Sequence, residues 1–182
     1  MIFKQGILAA LLAVLLAAFA VPAAAADNIT VKAGFIRAPR MRETLSILDI
    51  PAADDGVKGA ELAVEDNNTT GRFLGQTFAI EDVALRPGDD PSAALSGLIQ
   101  HGVSLVLADL PAAALLALSD AAKGKEALIF NTGAPEDSLR EENCRANVVH
   151  VAPSYSMLAD GLAQYLVWKQ WKRWFLIKGS HP

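Results

Sequence analysis

Apolar and polar positions follow two different periods along this chain, and the period changes repeatedly between them. Short apolar or β-branched runs predict strands at 29–36, 77–83, 103–108, 127–130, 148–152 and 174–178. Between these runs, apolar residues recur at helical spacing. Strands that alternate with helices of about 10–15 residues are typical of βαβ units. The pattern therefore predicts an α/β fold, with an open parallel sheet that has helices on both faces.

The first predicted helix covers residues 56–67 and starts after Asp54 and Asp55, which can cap it. One face of this helix is apolar, with Val57, Ala60 and Val64. The opposite face is acidic and should be solvated, with Glu61 and Glu65. A polar stretch at 67–71 predicts a break in the chain before the second strand.

Capping residues mark the starts of three later helices. Asp90 is followed by Pro91, Asp109 precedes Pro111, and Ser154 begins a long helix. The side chains expected to face the core are Leu95, Leu98, Ile99, Leu158, Leu162, Tyr165 and Leu166. The helix after Pro111 is expected to run through Leu115, Leu116 and Ser119. Gly102 should end the first of these helices.

The N-terminus has the three parts of a secretory signal peptide. Lys4 is followed by an unbroken apolar run at 7–20 and by Ala24, Ala25 and Ala26. The run is shorter than the ~20 residues that a membrane span needs, so an uncleaved anchor is the alternative and not the expectation. We expect residues 1–26 to be removed, and residues 27–182 to be periplasmic without stable membrane insertion.

The overall charge excludes some classes of partner. The net charge is −4 and no basic block occurs, which argues against binding to nucleic acid or to an anionic membrane surface.

Cys144 is the single cysteine. It could be a buried apolar side chain, a free thiol or half of a disulfide whose partner lies elsewhere.

Motifs for catalysis are absent from the sequence. It contains no glycine-rich phosphate loop and no GxSxG nucleophile motif, and the three histidines lack metal-ligand spacing. We therefore expect no catalytic residue, no metal and no cofactor. Trp168, Trp171 and Trp174 are expected to pack in the core or at a sheet edge, with a ligand-stacking role as the alternative.

The run "GAELAVEDNNTTGRFLGQTFAIEDV" resembles the first helix and second strand of type I periplasmic binding proteins, the substrate-capture subunits of branched-chain amino-acid and related ABC transporters. The resemblance continues through "DDPSAALSGLIQHGVSLVLADL", "ALIFNTGAPEDSLR" and "VVHVAPSYSMLADGLAQYLVWKQWKRWFLIKG". Within this family, the chain is most similar to the branch associated with PQQ-dependent alcohol oxidation.

Ligands of open parallel sheets bind outside the carboxyl ends of the strands, where the family also has its binding loops. The matching candidates here are Asp109, Asn131, Thr132, Ser154 and Tyr155. Ser154 has a competing role as a helix N-cap. The resemblance implies hydroxyls in these loops that grip an amino-acid carboxylate. This sequence instead has an acid at Asp109 and Pro135 in place of a hydroxyl, so amino-acid specificity is not supported.

The resemblance implies a periplasmic component of an ABC importer, with a small-molecule solute and an inner-membrane permease as partners. One alternative is a sensor or accessory protein that presents its ligand to a receptor or a PQQ enzyme. Another is a small exported α/β enzyme. Family members have two lobes, and the sequence matches the N-terminal lobe alone, which predicts a fragment or a truncated gene product.

Overall fold

The computed structural model describes residues 28–39, 52 and 54–177. The predicted signal peptide, residues 40–51 and the end of the chain from residue 178 lie outside this description. The described strands are β1 (Ile29–Arg37), β2 (Gln76–Ala84), β3 (Leu105–Asp109), β4 (Leu128–Asn131) and β5 (Val148–His150). The described helices are α1 (Asp55–Leu74), α2 (Pro91–Gln100), α3 (Ala112–Ala121) and α4 (Tyr155–Trp168), and a short 3₁₀ turn covers Asp137–Arg140.

The five strands form one parallel sheet in the order β2-β1-β3-β4-β5. The chain moves from β1 outward to β2, and then returns past β1 to β3, β4 and β5. Because such crossovers are right-handed, α1 covers one face of the sheet while α2 and α3 cover the other. This arrangement confirms the predicted α/β class with a parallel sheet.

The core lies between the sheet and the pair α2 and α3. Alternate residues of the central strands point into it, so Val106, Ala108 and Ile129 are completely buried. Leu95 and Leu98 of α2 and Leu115 and Leu118 of α3 fill the space above them. The stripe of α2 agrees with the one predicted from apolar spacing.

Helix α1 is longer than predicted, and the expected break at residues 67–71 is wrong. The polar side chains of this stretch make hydrogen bonds that suit a helix. Asn67 Nδ2 donates to the carbonyl oxygen of Ala63 at 2.7 Å. Asn68 lies over the strand β2, where its Nδ2 donates to the Phe78 carbonyl oxygen at 2.9 Å and its Oδ1 accepts from the Phe78 N–H at 2.8 Å. The contact with β2 therefore keeps the polar segment helical.

The end of α1 depends on two glycines. A β-carbon on Gly71 would lie 2.7 Å from the carbonyl oxygen of Gln76, so only glycine lets the helix approach the following strand this closely. Gly75 has a φ of 67° and a backbone N–H that bonds the Gly71 carbonyl. This left-handed cap ends the helix at Leu74.

Two of the predicted helix caps are present as side-chain hydrogen bonds. Asp90 accepts from the Ser92 N–H at 2.9 Å, and Ser154 Oγ accepts from the Met157 N–H at 3.3 Å. Asp54 occupies the cap position of α1, but its side chain makes no capping hydrogen bond.

The prediction that α4 has an inward apolar face is wrong. Leu158, Leu162 and Tyr165 are all more than half exposed, and no residue of α4 is buried. The expected core packing of the three tryptophans is also wrong, since each of them is exposed. The predicted strand at 174–178 is absent over 174–177, which pairs with no other strand. Nothing in the described residues covers this apolar surface.

Candidate ligand-binding site at the carboxyl ends of the strands

The order of the strands places a topological switch point between β1 and β3, which is where the crevice of an open parallel sheet lies. The chain leaves β1 toward β2 on one side and reaches β3 on the other, so the connections diverge at this point. In an open parallel sheet such a switch point is the usual ligand site. Arg37, the last residue of β1, is paired in register with Asp109, the last residue of β3. Asn131, the last residue of β4, is paired in register with Ala108, and His150, the last residue of β5, is paired with Asn131. These two strands therefore end one residue before the level of Arg37 and Asp109.

Arg37 makes a two-point ion pair with Asp82 of β2. Its Nε lies 2.9 Å from Oδ1, and its Nη2 lies 2.9 Å from Oδ2. The hydrogen bond to Asp82 raises the pKa of Arg37 above its ordinary value, and the charge of Asp54 adds to this effect. The guanidinium therefore stays charged, and acidic side chains surround it on this side of the crevice.

Asp109 lies beneath the first turn of α1 and is partly buried. Its backbone carbonyl accepts a hydrogen bond from the Ala38 N–H at 3.1 Å. A β-carbon on Gly56 would lie 3.7 Å from Asp109 Oδ2 and 3.1 Å from the Phe35 ring. The carboxylate therefore lies near the Phe35 ring and near the N-terminus of α1, whose dipole favours the negative charge of Asp109.

Asn131 is completely buried, and its side chain organises the loop after β4. Its Oδ1 accepts from the N–H groups of Gly133 and Ala134, at 3.1 and 2.8 Å. Its Nδ2 donates to the Ala134 carbonyl oxygen at 2.7 Å, and lies 3.0 Å from His150 Nδ1. These four contacts use the full hydrogen-bonding capacity of the amide. The geometry thus gives Asn131 a role in ordering the loop after β4.

Thr132 follows directly on the chain, and its N–H donates to the Ala108 carbonyl oxygen at 3.1 Å. Its hydroxyl is buried and makes no hydrogen bond to any described residue. A buried hydroxyl without a partner costs about 1–3 kcal/mol, so such groups generally have a reason in a bound molecule or an ordered water.

Ser154 and Tyr155 differ in how far they are accessible. Ser154 is buried, and its hydroxyl caps α4 and contacts the Ser156 hydroxyl at 2.9 Å. Tyr155 has its ring exposed, while its N–H donates to the Pro135 carbonyl oxygen at 2.9 Å. That bond ties the start of α4 to the loop after β4. The structure therefore places Asn131, Thr132, Ser154 and Tyr155 around one corner, and Asp109 on the adjacent side of β4.

Sequence reasoning missed two side chains at this corner. Asp137 accepts hydrogen bonds from the N–H and hydroxyl of Ser156, and hydrogen bonds from Ser154 and Ser156 lower the pKa of its carboxyl group. The sequence indicates no role for His150, because the histidines lack metal-ligand spacing. The predicted strand at 148–152 ran past His150, so the sequence did not show that His150 ends β5 at the carboxyl edge of the sheet.

The arrangement offers charged groups and hydroxyls for polar contact, whereas the Asn131 amide is already used within its own corner. Among the described residues, no three His, Cys, Asp or Glu side chains are grouped as a metal site, and none of the helices is long and apolar enough to cross a membrane. Cys144 is exposed and forms no disulfide with any described residue.

Comparisons of sequence and of fold both match this chain to periplasmic binding proteins. A family model described as periplasmic binding protein matches residues 50–182. No curated protein sequence matches the chain.

Several solved structures share the fold. A periplasmic binding protein from Burkholderia mallei is 25% identical with a TM-score of 0.52, and the match covers 78% of this chain and 36% of that one. A branched-chain amino-acid ABC transporter periplasmic ligand-binding protein from Burkholderia xenovorans is 21% identical with a TM-score of 0.59, covering 78% and 37% of the two chains. A leucine-, isoleucine-, valine-, threonine- and alanine-binding protein from Brucella ovis, in a closed conformation, is 19% identical with a TM-score of 0.53, covering 75% and 36%.

The match thus spans little more than a third of the length of each of these neighbours, which are binding proteins by name and not enzymes. Since the family model covers most of the sequence and the sheet has the order and crevice just described, the chain belongs to the periplasmic binding protein family, with the type I fold.

Proposed function

We propose that this protein is the periplasmic solute-binding component of an ABC import system and passes a small molecule to an inner-membrane permease. The family match over residues 50–182 is the observation that carries the proposal. The crevice between Arg37 and Asp109 supports it, because it lies where open α/β sheets bind ligands. Disruption of the gene should abolish high-affinity uptake of the solute.

The loops around the crevice support a solute other than an α-amino acid. The names of the solved neighbours from Burkholderia xenovorans and Brucella ovis refer to amino acids as the molecules that they transport or bind. In this chain, the loop after β3 has neither Ser nor Thr, and Asp109 adds a carboxylate that would repel the carboxylate of an amino acid. The resemblance to the branch associated with PQQ-dependent alcohol oxidation supports a link to that system and makes short-chain alcohols and aldehydes the first solutes to screen.

A second lobe is part of this proposal, with residues 27–182 as the N-terminal lobe of a longer binding protein. The exposed apolar face of α4 supports it, as do Trp171, Trp174 and Phe175 beyond the helix, because a soluble protein rarely leaves so much contiguous apolar surface uncovered. On the sheet, Val149 of β5 is also exposed. We propose that further chain, of the kind the longer solved neighbours contain, covers these surfaces and closes over the crevice.

Export of the protein can be tested by mass. We propose that signal peptidase cuts after Ala26, because the three alanines follow an apolar run of signal-peptide length. The intact mass of the periplasmic protein should correspond to a chain that starts at Asp27. A mature protein that still carries residues 1–26 would contradict the proposal.

The candidate contacts can be tested with variants that separate binding from folding. In the exported protein encoded by the complete reading frame, Thr132→Val removes a buried hydroxyl that has no partner among the described residues, and Tyr155→Ala removes an exposed ring. We expect each variant to lower solute affinity at least about tenfold, which corresponds to about 1.4 kcal/mol. Calorimetry against leucine, alanine, ethanol and acetaldehyde would measure it.

Thr77→Val is the matched control, because Thr77 lies near the amino end of β2 at the opposite edge of the sheet. It should leave affinity unchanged. If Thr132→Val and Tyr155→Ala also leave affinity unchanged, the site lies elsewhere. If leucine or alanine binds in preference to the alcohol and aldehyde, the proposed solute class is wrong while the binding function stands.

A further inference from the structure

The orientation of the Asn131 amide is fixed by its neighbours. Backbone N–H groups can only donate, and those of Gly133 and Ala134 both point at the same atom, which must be the oxygen Oδ1. The other atom is therefore the nitrogen Nδ2. It is consistent with this assignment that Nδ2 lies 2.7 Å from the Ala134 carbonyl oxygen, which can only accept.

This orientation determines the proton position on His150. Asn131 Nδ2 lies 3.0 Å from His150 Nδ1, and since Nδ2 is a donor, Nδ1 must accept. His150 is then neutral, with its proton on Nε2. In the charged form both ring nitrogens carry hydrogens, so two N–H groups would face each other across this contact.

We propose that Asn131 and His150 form a pH-sensitive latch that holds the corner between β4 and β5 closed when His150 is neutral and releases it when His150 is protonated. This inference goes beyond solute binding, since it concerns a device within the fold.

The surroundings of His150 favour the neutral form. Leu115 and Leu116 of α3 pack on the same side, together with Leu139 and Val148. Two cationic side chains lie near His150, Arg140 from the 3₁₀ turn and Arg145 from the loop that follows it, and the Asp137 carboxyl lies at the same corner, where Arg140 acts on it. Arg145 is paired with Asp120 at 3.0 Å.

The effect on the pKa of His150 follows from these contacts. Burial lowers it below the ordinary value of 6.5, and the charge of Arg140 lowers it further, against a smaller opposing effect of the Leu139 backbone. Among the described residues, no carboxylate contributes to this shift. Protonation of His150 therefore works against the folded corner.

The latch lies under the candidate binding loop. Residues Val151 and Ala152 both donate their N–H groups to the Asn131 carbonyl oxygen, at 3.1 and 3.2 Å, and Arg140 donates to the Ala152 carbonyl oxygen. The side-chain bond and these backbone bonds hold one corner together. Loss of the side-chain bond would loosen the loop that carries Thr132, so weaker solute binding in acid is a consequence that rests on the proposed function.

The proton position can be measured directly. Nitrogen-15 NMR of the histidine rings in the purified exported protein at pH 7.5 should show His150 with its proton on Nε2 and an unprotonated Nδ1. The same spectra at lower pH should show that His150 titrates below 6.5. A proton on Nδ1 at neutral pH, or titration above that value, would overturn the latch, and neither result depends on a ligand.

The stability of variants provides the second measurement. A histidine with a depressed folded pKa binds its proton more readily in the unfolded chain, so its contribution to stability is complete above 6.5 and is lost as the pH falls through the folded pKa. One such proton changes the unfolding equilibrium constant by up to about tenfold per pH unit. We expect urea unfolding to show this loss between pH 7.5 and 5.0 in the wild type.

His150→Asn keeps an acceptor near the Nδ1 position but cannot titrate, and should remove this component of the pH dependence. Asn131→Asp places a carboxylate oxygen against His150 Nδ1, and should instead make protonation of His150 favourable and raise its pKa. The control His101→Asn removes a histidine that is exposed and bonded to Glu81 on another part of the sheet, and the acid loss should persist in it. An unchanged acid loss in His150→Asn would contradict the latch, whatever the protein binds.

Discussion

At the scale of single residues, Asn131 has the largest structural role in the candidate site. It is completely buried, and four protein groups depend on its amide. Its neighbour Thr132 is the opposite case, with a buried hydroxyl that no described residue bonds. Adjacent positions in one loop therefore differ, since the Asn131 amide is fully hydrogen-bonded and the Thr132 hydroxyl has no partner among the described residues.

Replacement of Asn131 by alanine should destabilise the protein by about 2–4 kcal/mol, because two backbone N–H groups, a carbonyl oxygen and His150 would lose their partner in a buried setting. Thr132→Val serves as the control, and should cost less than about 0.5 kcal/mol or be stabilising. Urea unfolding at pH 7.5 measures both. A loss below about 1 kcal/mol in Asn131→Ala would show that other contacts order this loop.

At the scale of elements, α1 protects the edge of the sheet. β2 is an outer strand, and such strands leave backbone groups open to pairing with other chains. Asn68 bonds both the N–H and the carbonyl oxygen of Phe78 on this free edge. One side chain thus explains why α1 continues through a polar stretch and why β2 is shielded.

We expect Asn68→Ala to cost about 1–2 kcal/mol in the free energy of unfolding and to speed hydrogen exchange at the Phe78 amide, because that N–H would lose its acceptor. Asn67→Ala is the matched control, since Asn67 is exposed and bonds only within the helix. It should change stability by less than about 0.5 kcal/mol. Equal effects in the two variants would mean that the contact with β2 contributes nothing to the stability of α1.

At the scale of the whole molecule, the apolar surface is divided unevenly. The core between the sheet and the helices α2 and α3 is closed, whereas α4 and residues 171–177 carry large apolar side chains in the open. The hydrophobic effect drives such a surface toward a partner. The described part of the fold therefore combines a closed core with a helix, α4, whose apolar side chains are not covered.

We expect a chain of residues 27–182 to self-associate through the exposed face of α4, and the double variant Leu158→Glu/Leu162→Glu to reduce this association, as measured by sedimentation velocity. Both leucines are more than half exposed, so the free energy of unfolding should change by less than about 1 kcal/mol. Leu118→Glu, at a completely buried position of α3, is the control that should unfold the protein. A large loss of stability in the double variant would show that α4 packs within the monomer.

A chain of residues 27–182 should also bind solute weakly or not at all. A tight small-molecule site buries about 70–90% of its ligand, and one lobe offers an open edge where water competes for each hydrogen bond. Calorimetry with the solute identified for the complete protein tests this expectation. Micromolar or tighter binding by a monodisperse monomer would show that the single lobe suffices and that no second lobe is needed for capture.

The elements of this protein are determined largely by local sequence. Apolar runs and helical spacing predict all five described strands and the position of the central helices, since strands and helices differ in the period of their buried residues. Asp90 and Ser154 act as caps because the hydroxyl or carboxylate and the N–H that it accepts from are only two or three residues apart. The edge of the sheet at which the strand-end loops gather also follows from the alternation of strands and helices.

Contacts between distant residues decided the remainder. The polar stretch at 67–71 is helical because Asn68 meets Phe78 across the chain, and local propensity holds no information about that partner. The same is true of Asn131, whose amide proved to be satisfied by its own loop and by His150. The apolar stripe of α4 predicts a buried face, but burial requires a surface to pack against. A sequence shows that a face is apolar, and only the tertiary structure shows whether anything covers it.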